Sequence, residues 1–181
     1  MKQLIFQQLK NELINGNIKK GHPFRFFSLA TVDQQNKPQQ RTVVLRKVSN
    51  ELELYFYTDK RSNKVAQLIT NRTISALFYH PEKLLQLQIQ GSASFVRNEI
   101  TLQHLWNEVP LNSRKDYSTK HSPGSSIKNP KEIDYLKEEN NFCAIKIIPE
   151  AIEYLRLASP NHMRIKYTKE NNEWNGQFLV P

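Results

Sequence analysis

With one cysteine, Cys143, in the whole chain, an internal disulfide framework is excluded. That thiol lies in the apolar run FCAIKII, where a buried, inert side chain is expected rather than a nucleophile. Long apolar stretches are also missing. The N-terminal segment is broken by Lys2, Lys10 and Glu12, so neither a signal segment nor a membrane span is expected, and the chain reads as soluble and cytoplasmic. The five histidines, His22, His80, His104, His121 and His162, include no pair at metal-ligand spacing and carboxylates are not expected to cluster with them, so no metal site is expected. A serine nucleophile needs a sharp glycine-flanked turn, and there is none. No internal repeat divides the chain.

What is present fits one domain, residues 1–181, large enough for a core of its own. A net charge of +9 raises polyanions as partners, but the basic residues are dispersed from Lys2 to Lys169 among acidic ones. Without an arginine-rich run, zinc spacing or an RNA-binding aromatic signature, no specific nucleic-acid partner is expected. Leu4, Ile5, Leu9, Leu13 and Ile14 predict a covering helix over 1–15 that stops at Gly16. Strands are predicted over 24–32, 41–48, 52–58, 73–79, 84–96, 142–148, 151–157, 163–168 and 177–180, with a bend at Gly91. Helices are predicted over 63–69, over 99–108 with Asn98 as cap, over 112–120, and from Pro130 onward behind Asn129. Many strands, short turns and few helices make a mainly β fold, an antiparallel barrel with peripheral helices.

The stretch from Arg41 to Leu68, RTVVLRKVSNELELYFYTDKRSNKVAQL, carries the chemistry. Ser62 is placed to cap a short helix whose first turn holds Lys64, with Arg61 nearby, and Arg41 offers a second cation. A helix N-terminus with cations beside it is an anion site. A phosphate facing one cation at ~4 Å gains about 4 kcal/mol per charge pair at an effective dielectric of ~20, before desolvation. Arg41 and Arg46 stand roughly 16 Å apart along an extended strand, about the length of a mononucleotide with a large ring. Their odd separation puts them on opposite faces unless the strand bulges, ends or meets a second subunit between them.

Arg-x-Val-x-Leu-Arg at 41–46, then Phe-Tyr-Thr at 56–58, then Ser-x-Lys at 62–64, followed by Gln86 on the strand leading to Gly91, resembles the FMN-binding core of the pyridoxamine 5'-phosphate oxidase family, the FMN-binding split barrels. The resemblance runs more weakly from about Phe26 to the C-terminus. It implies an FMN-dependent oxidoreductase acting on a small molecule, a homodimer with FMN at the subunit interface, and an antiparallel split barrel. It places the FMN phosphate near Arg41, Ser62 and Lys64, with Asn63 between them. The ring falls near Val43, Val44, Arg46, Tyr57, Thr58 and Gln86, with Thr42 and Leu45 in the same run. Arg46 gains a catalytic role, stabilising the anionic reduced ring. His121 and Ser122 fall where the family reaches across to the partner's flavin, and Arg164 where it has a late flavin-binding arginine.

The substrate side departs from the pattern. Leu105 and Val109 stand where the family's true oxidases have a tyrosine and an arginine, Leu155 where it has a tryptophan, and Pro160 or Asn161 where it has another arginine. Only Ser113 and His162 match as substrate ligands. An oxidoreductase of unidentified small substrate, a pyridoxamine 5'-phosphate oxidase with a rearranged phosphate site, and a non-catalytic flavin or small-ligand binder all remain open from sequence.

Overall fold

A computed structural model describes residues 1–137 and 139–181. Alternating burial from Phe26 onward builds nine strands among these residues: β1 (Phe26–Val32), β2 (Pro38–Val44), β3 (Lys47–Val48), β4 (Leu54–Asp59), β5 (Thr73–His80), β6 (Leu85–Phe95), β7 (Phe142–Arg156), β8 (Met163–Glu170) and β9 (Glu173–Leu179). All pairings are antiparallel, in the order β2-β1-β5-β6-β7-β4-β3, with β8 and β9 branching from β7. The sheet curls into a half-barrel, so the expected mainly β split-barrel class holds. Among the described residues four α-helices lie outside it: α1 (Lys2–Ile18), α2 (Asn63–Thr70), α3 (Glu99–Asn107) and α4 (Leu111–Arg114). Inward residues such as Leu29, Leu54, Phe56, Phe78, Leu87, Ile89 and Ile152 make the core, and Phe27 stacks on Phe78 with ring centroids 4.7 Å apart. None of the described helices is long and apolar enough to cross a membrane.

Three departures from the expected elements have local causes. Gly16 does not end α1. It lies inside the helix because Phe24 packs so closely that a Cβ there would sit 2.7 Å from the Phe24 Cβ, and the helix runs on to Ile18. The strand expected over 41–48 is two strands. β2 stops at Val44, Leu45 turns its side chain fully into the core and donates its N–H to the Arg25 carbonyl at 2.9 Å, and Arg46 donates its own to Tyr55 at 2.8 Å. The chain thus crosses from the β1–β2 side of the sheet to the β3–β4 side, which frees Arg46 from strict alternation with Arg41. Conversely, the strands expected over 142–148 and 151–157 are one. β7 continues through Pro149 because the register against β6 shifts between Gln90 and Gly91, and a bulge tolerates a proline that a regular ladder excludes. At Gly91, where a bend is expected from sequence, the shift in register brings β7 so close that a Cβ would meet the Ile148 carbonyl oxygen at 2.1 Å, so only glycine fits. The helices expected over 112–120 and from Pro130 shrink to α4 followed by a 3-10 turn, and to a single turn over Pro130–Glu132 capped by Asn129.

Folding also gathers residues far apart in sequence. His22, from the turn after α1, and His80, at the end of β5, face each other edge to face at 5.4 Å, with Glu12 of α1 against both. The His22 Nδ1 accepts from the Phe24 N–H at 3.1 Å, so its Nε2 carries the proton and lies 3.3 Å from one Glu12 carboxylate oxygen. Lys83 pairs with the other Glu12 oxygen. The contacts of Glu12 with His22 and Lys83 make the cluster a polar latch for α1.

Burial holds the His22 pKa below its ordinary value, with Glu12 opposing and His80 and Lys83 adding to the depression. The folded protein therefore takes up this proton less readily than the unfolded chain. The latch contributes fully above the unfolded value of ~6.5 and is lost as pH falls through it towards the folded value. The urea midpoint should accordingly fall more between about pH 7.5 and 5.5 in the native protein than in His22→Asn, which keeps an acceptor for the Phe24 N–H but does not titrate. Equal pH slopes would rule the latch out.

Candidate functional site

At one end of the barrel, β1, β2, β4 and α2 converge on a pair of cations. Arg41 on β2 donates from Nη1 to the Thr31 hydroxyl at 2.5 Å and the Leu29 carbonyl at 3.4 Å, and from Nη2 to the Gln67 side chain at 3.0 Å. Lys64, on the first turn of α2, donates to the Thr58 hydroxyl at 2.9 Å, and that hydroxyl lies 3.3 Å from the Ser62 hydroxyl. Burial lowers the Lys64 pKa, the like charge of Arg41 lowers it further, and Asp59 opposes both. Among the described residues neither cation forms an ion pair. Ser62 occupies the N-cap position, but its side chain makes no capping bond and is turned towards Thr58 instead. The first turn of α2 therefore keeps unsatisfied donors beside Lys64. A half-buried pair of like charges ringed by hydroxyls and an uncapped helix end has the donor set for a phosphate dianion.

Arg61, placed with these cations from sequence, is engaged elsewhere. Its side chain grips the buried Asp59 and the carbonyls of Thr119 and Lys120. Val43 and Leu45 also need revision. Both side chains are buried in the core, and the Leu45 N–H is bonded to Arg25, so neither residue presents a side chain to a ligand. Thr42 is exposed and Val44 half-buried on the opposite face of β2. Asn63 opens α2 with its side chain in solvent.

Beyond the phosphate-like end, the Arg46 guanidinium lies 5.8 Å over the Tyr57 ring, and its Nε is buried with no hydrogen-bond partner. Tyr57 is pushed up to about 12, mainly by burial, with Arg46 opposing. Tyr57 meets Phe142 at 4.9 Å, Phe142 meets Trp106 at 5.2 Å and Tyr117 at 5.3 Å, and Arg114 lies 4.9 Å over Trp106. Ser113 stands on α4 next to this aromatic wall's Arg114, half-buried. Cys143, on β7, is half-buried, and burial pushes its thiol pKa up to about 11.

Gln86, Leu155 and Arg164 form one cross-strand row over β6, β7 and β8. Arg164 is paired with Glu153 at 2.9 Å, and the nearby His162 accepts from the Ala158 N–H at 3.2 Å. Along β7, Ala144, the partner of Tyr57, and Leu155 are eleven residues apart, roughly 36 Å of strand. Across the sheet the route is shorter: Gln86 pairs with Tyr79 on β5, β5 pairs with β1, and Phe26 of β1 pairs with Val44 of β2, three strand spacings or roughly 14 Å. His121 and Ser122 lie on the cation side of the same chain: Arg61 reaches the His121 carbonyl at 3.4 Å, and a Cβ built on Gly124 would fall 4.0 Å from the Asn63 amide nitrogen.

The family model for the pyridoxamine 5'-phosphate oxidase, FMN-binding domain matches residues 2–97, more than half the chain. A pyridoxine/pyridoxamine 5'-phosphate oxidase of Pseudoalteromonas atlantica is 31% identical over 173 residues, 85% of this chain and 78% of the relative. The chain belongs to the pyridoxamine 5'-phosphate oxidase FMN-binding family. Its cofactor is FMN, and the cation pair with its hydroxyls fits the phosphate of that group. The enzyme of the same name from Haemophilus influenzae is 27% identical over 97% of this chain and 87% of its own. In fold, the chain matches a pyridoxamine 5'-phosphate oxidase-related FMN-binding protein of Nostoc punctiforme with a TM-score of 0.80, at 23% identity, over 97% of this chain and 96% of the other. It matches PhzG of Burkholderia lata, solved with tetrahydrophenazine-1-carboxylic acid, with a TM-score of 0.81, at 19% identity, over 97% and 92%.

Sequence reasoning missed Thr31 and Gln67, which orient Arg41, and the wall of Trp106, Tyr117 and Phe142. Gln67 was within reach: it lies three residues after Lys64, on the same face of α2. Thr31 and the wall are long-range pairings with no local signature.

Proposed function

We propose that residues 1–181 act as one FMN-dependent oxidoreductase unit of the cytoplasm, working as a homodimer on a small substrate. The observation that carries the reading is the half-buried, unneutralised pair of Lys64 and Arg41 within a ring of hydroxyls. FMN, when bound, supplies the two-electron chemistry. Lys64, Arg41, Ser62 and Thr58 hold its phosphate, with the first-turn N–H groups of α2 behind them. Arg46 is the catalytic residue of the ring end. Its buried, unpartnered Nε is a donor held for a ligand, and its charge favours an electron-rich ring. Tyr57, Trp106 and Phe142 wall that end and exclude water.

The homodimer is what the family resemblance implies, and His121 and Ser122 are the residues that would reach the partner's flavin. Ser113 on α4 and His162 before β8 are the candidate substrate ligands.

The names of the relatives raise oxidation of pyridoxamine 5'-phosphate as a second reading. Against it, Leu105 and Val109, where the family's oxidases have polar ligands, are each only 2% exposed and pack inward. We therefore place the substrate outside the phosphorylated pyridoxamines.

Lys64→Ala and Arg41→Ala should weaken FMN by at least about tenfold while leaving riboflavin nearly unchanged, one charge-assisted contact to phosphate being lost in each. Equal losses for both flavins would remove the phosphate assignment. Light scattering should give twice the 21.3 kDa chain mass, and a monomer that still holds FMN stoichiometrically would refute the shared site. With two phosphate ligands missing at roughly 1.5 to 3 kcal/mol each, pyridoxamine 5'-phosphate should bind on the order of a hundredfold more weakly than in a complete site. Efficient aerobic formation of pyridoxal phosphate at micromolar substrate would restore the second reading.

A further inference from the structure

Arg61, in the 59–64 turn, points away from the phosphate-like site, and the way it does so has a consequence for that site. Asp59, at the end of β4, is 3% exposed. Its carboxylate accepts from the Arg61 N–H at 2.8 Å and from Nε at 3.0 Å on Oδ1, and from Nη2 at 2.6 Å on Oδ2. The outer edge of the same guanidinium donates to the Lys120 carbonyl at 3.0 Å and the Thr119 carbonyl at 2.7 Å. Those two residues stand at the neck of the 118–136 excursion, which is closed by a bridge between Thr119 and Tyr135 and by the Lys120 N–H on the Asp134 carbonyl at 2.8 Å. Beyond the neck the loop folds on itself through Ser122 and Ser125, whose hydroxyls lie 2.9 Å apart, and Gly124 comes near the start of α2, where a Cβ built on it would fall 4.0 Å from the Asn63 amide nitrogen.

We propose that Asp59 and Arg61 form a positioning clasp that holds the 119–125 loop against the N-terminal turn of α2, and so preorganises the phosphate end of the flavin site. This rests on the assignment of the FMN phosphate to Lys64 and Arg41. Neither clasp residue touches the flavin. Arg61 acts through the loop, and Asp59 acts through Arg61. A fork is required, because one side chain bonds both carboxylate oxygens and two carbonyls on a separate segment, which a lysine ammonium does not span. The clasp also cancels a carboxylate that would otherwise face the incoming phosphate from beside Lys64.

Asp59→Asn decides between positioning and simple electrostatics because the two give opposite signs. If Asp59 mattered only through its charge, its removal would strengthen binding of an anion. If it holds the clasp, its removal releases Arg61 and the loop, and FMN binding weakens. In the full-length protein stripped of flavin, Asp59→Asn and Arg61→Ala should each weaken FMN about tenfold, with riboflavin changed less than about twofold, since a preorganised contact is lost only at the phosphate. The double variant should lose no more than either single one, and Arg61→Lys should not rescue. Both variants should also speed tryptic cleavage at Lys120 and Lys128 before any flavin is added. Tighter FMN binding by Asp59→Asn, equal losses of FMN and riboflavin, or unchanged loop cleavage would each overturn the clasp. Lys64→Ala run in parallel separates the two levels. If it leaves the ratio of FMN to riboflavin affinity unchanged, the phosphate assignment falls and the proposal with it, whereas a shifted ratio there with none in Asp59→Asn removes the clasp alone.

Discussion

Two backbone hydrogen bonds at the corner between β2 and β3, Leu45 N–H to Arg25 and Arg46 N–H to Tyr55, tie together the two ends of a sheet that would otherwise be open. A curled sheet leaves rows of unpaired donors and acceptors at its ends, and a barrel removes that liability by joining them. Here the joint is a single step of chain. The fully buried Leu45 anchors it in the core, and because the strand has stopped, Arg46 is released from the pleat. One constraint thus closes the fold and sets a cation at the seam, over Tyr57, with a buried donor left over. A buried unpaired N–H on a charged group destabilises the empty protein, and such atoms concentrate where a ligand completes the bonding.

β7 is the second organiser. It pairs with β6 along its length, with β4 through its first half and with β8 through its second. The shift at Gln90/Gly91 lets it carry Pro149 and bend between these tasks. Because the halves serve different partners, the Tyr57 region and the Gln86–Arg164 row are fixed at opposite ends of one strand.

The fold class was readable from alternation and turn residues, since half-buried antiparallel strands leave a period-two signal in sequence. The corner was not, because Val43, Val44 and Leu45 run across it as one β-favouring apolar stretch and the break is imposed by Leu45 entering the core. The reverse error at 148–151 has a similar origin. Pro149 reads locally as a strand end, and only the facing Gly91 makes room for it to lie mid-strand. At the site, Lys64 and Arg41 were legible as cations near a helix start. The diversion of Arg61 to Asp59 was not, because two of its acceptors are carbonyls about sixty residues away, and carbonyls carry no sequence identity. The meeting of His22 and His80 escaped for the same reason: ligand spacing rules see only neighbours along a helix or hairpin.

What separates the binding cations from the structural ones is compensation rather than residue type. Arg61, Arg164 and Lys146 are each satisfied by a carboxylate, and their charges are already balanced in the folded chain. Lys64 and Arg41 are turned towards neutral acceptors, Thr58 for the one and Thr31, Gln67 and the Leu29 carbonyl for the other, and burial with the like charge of Arg41 makes Lys64 a poorer proton holder than an ordinary lysine. Such an arrangement opposes folding of the unliganded protein, and an anion that binds only the folded state offsets it by mass action. The nearest carboxylate, Asp59, would relieve the same strain at no need of a ligand if it turned to Lys64. Its three contacts to Arg61 hold it away, so the charge imbalance that makes the site receptive is maintained by a neighbouring ion pair.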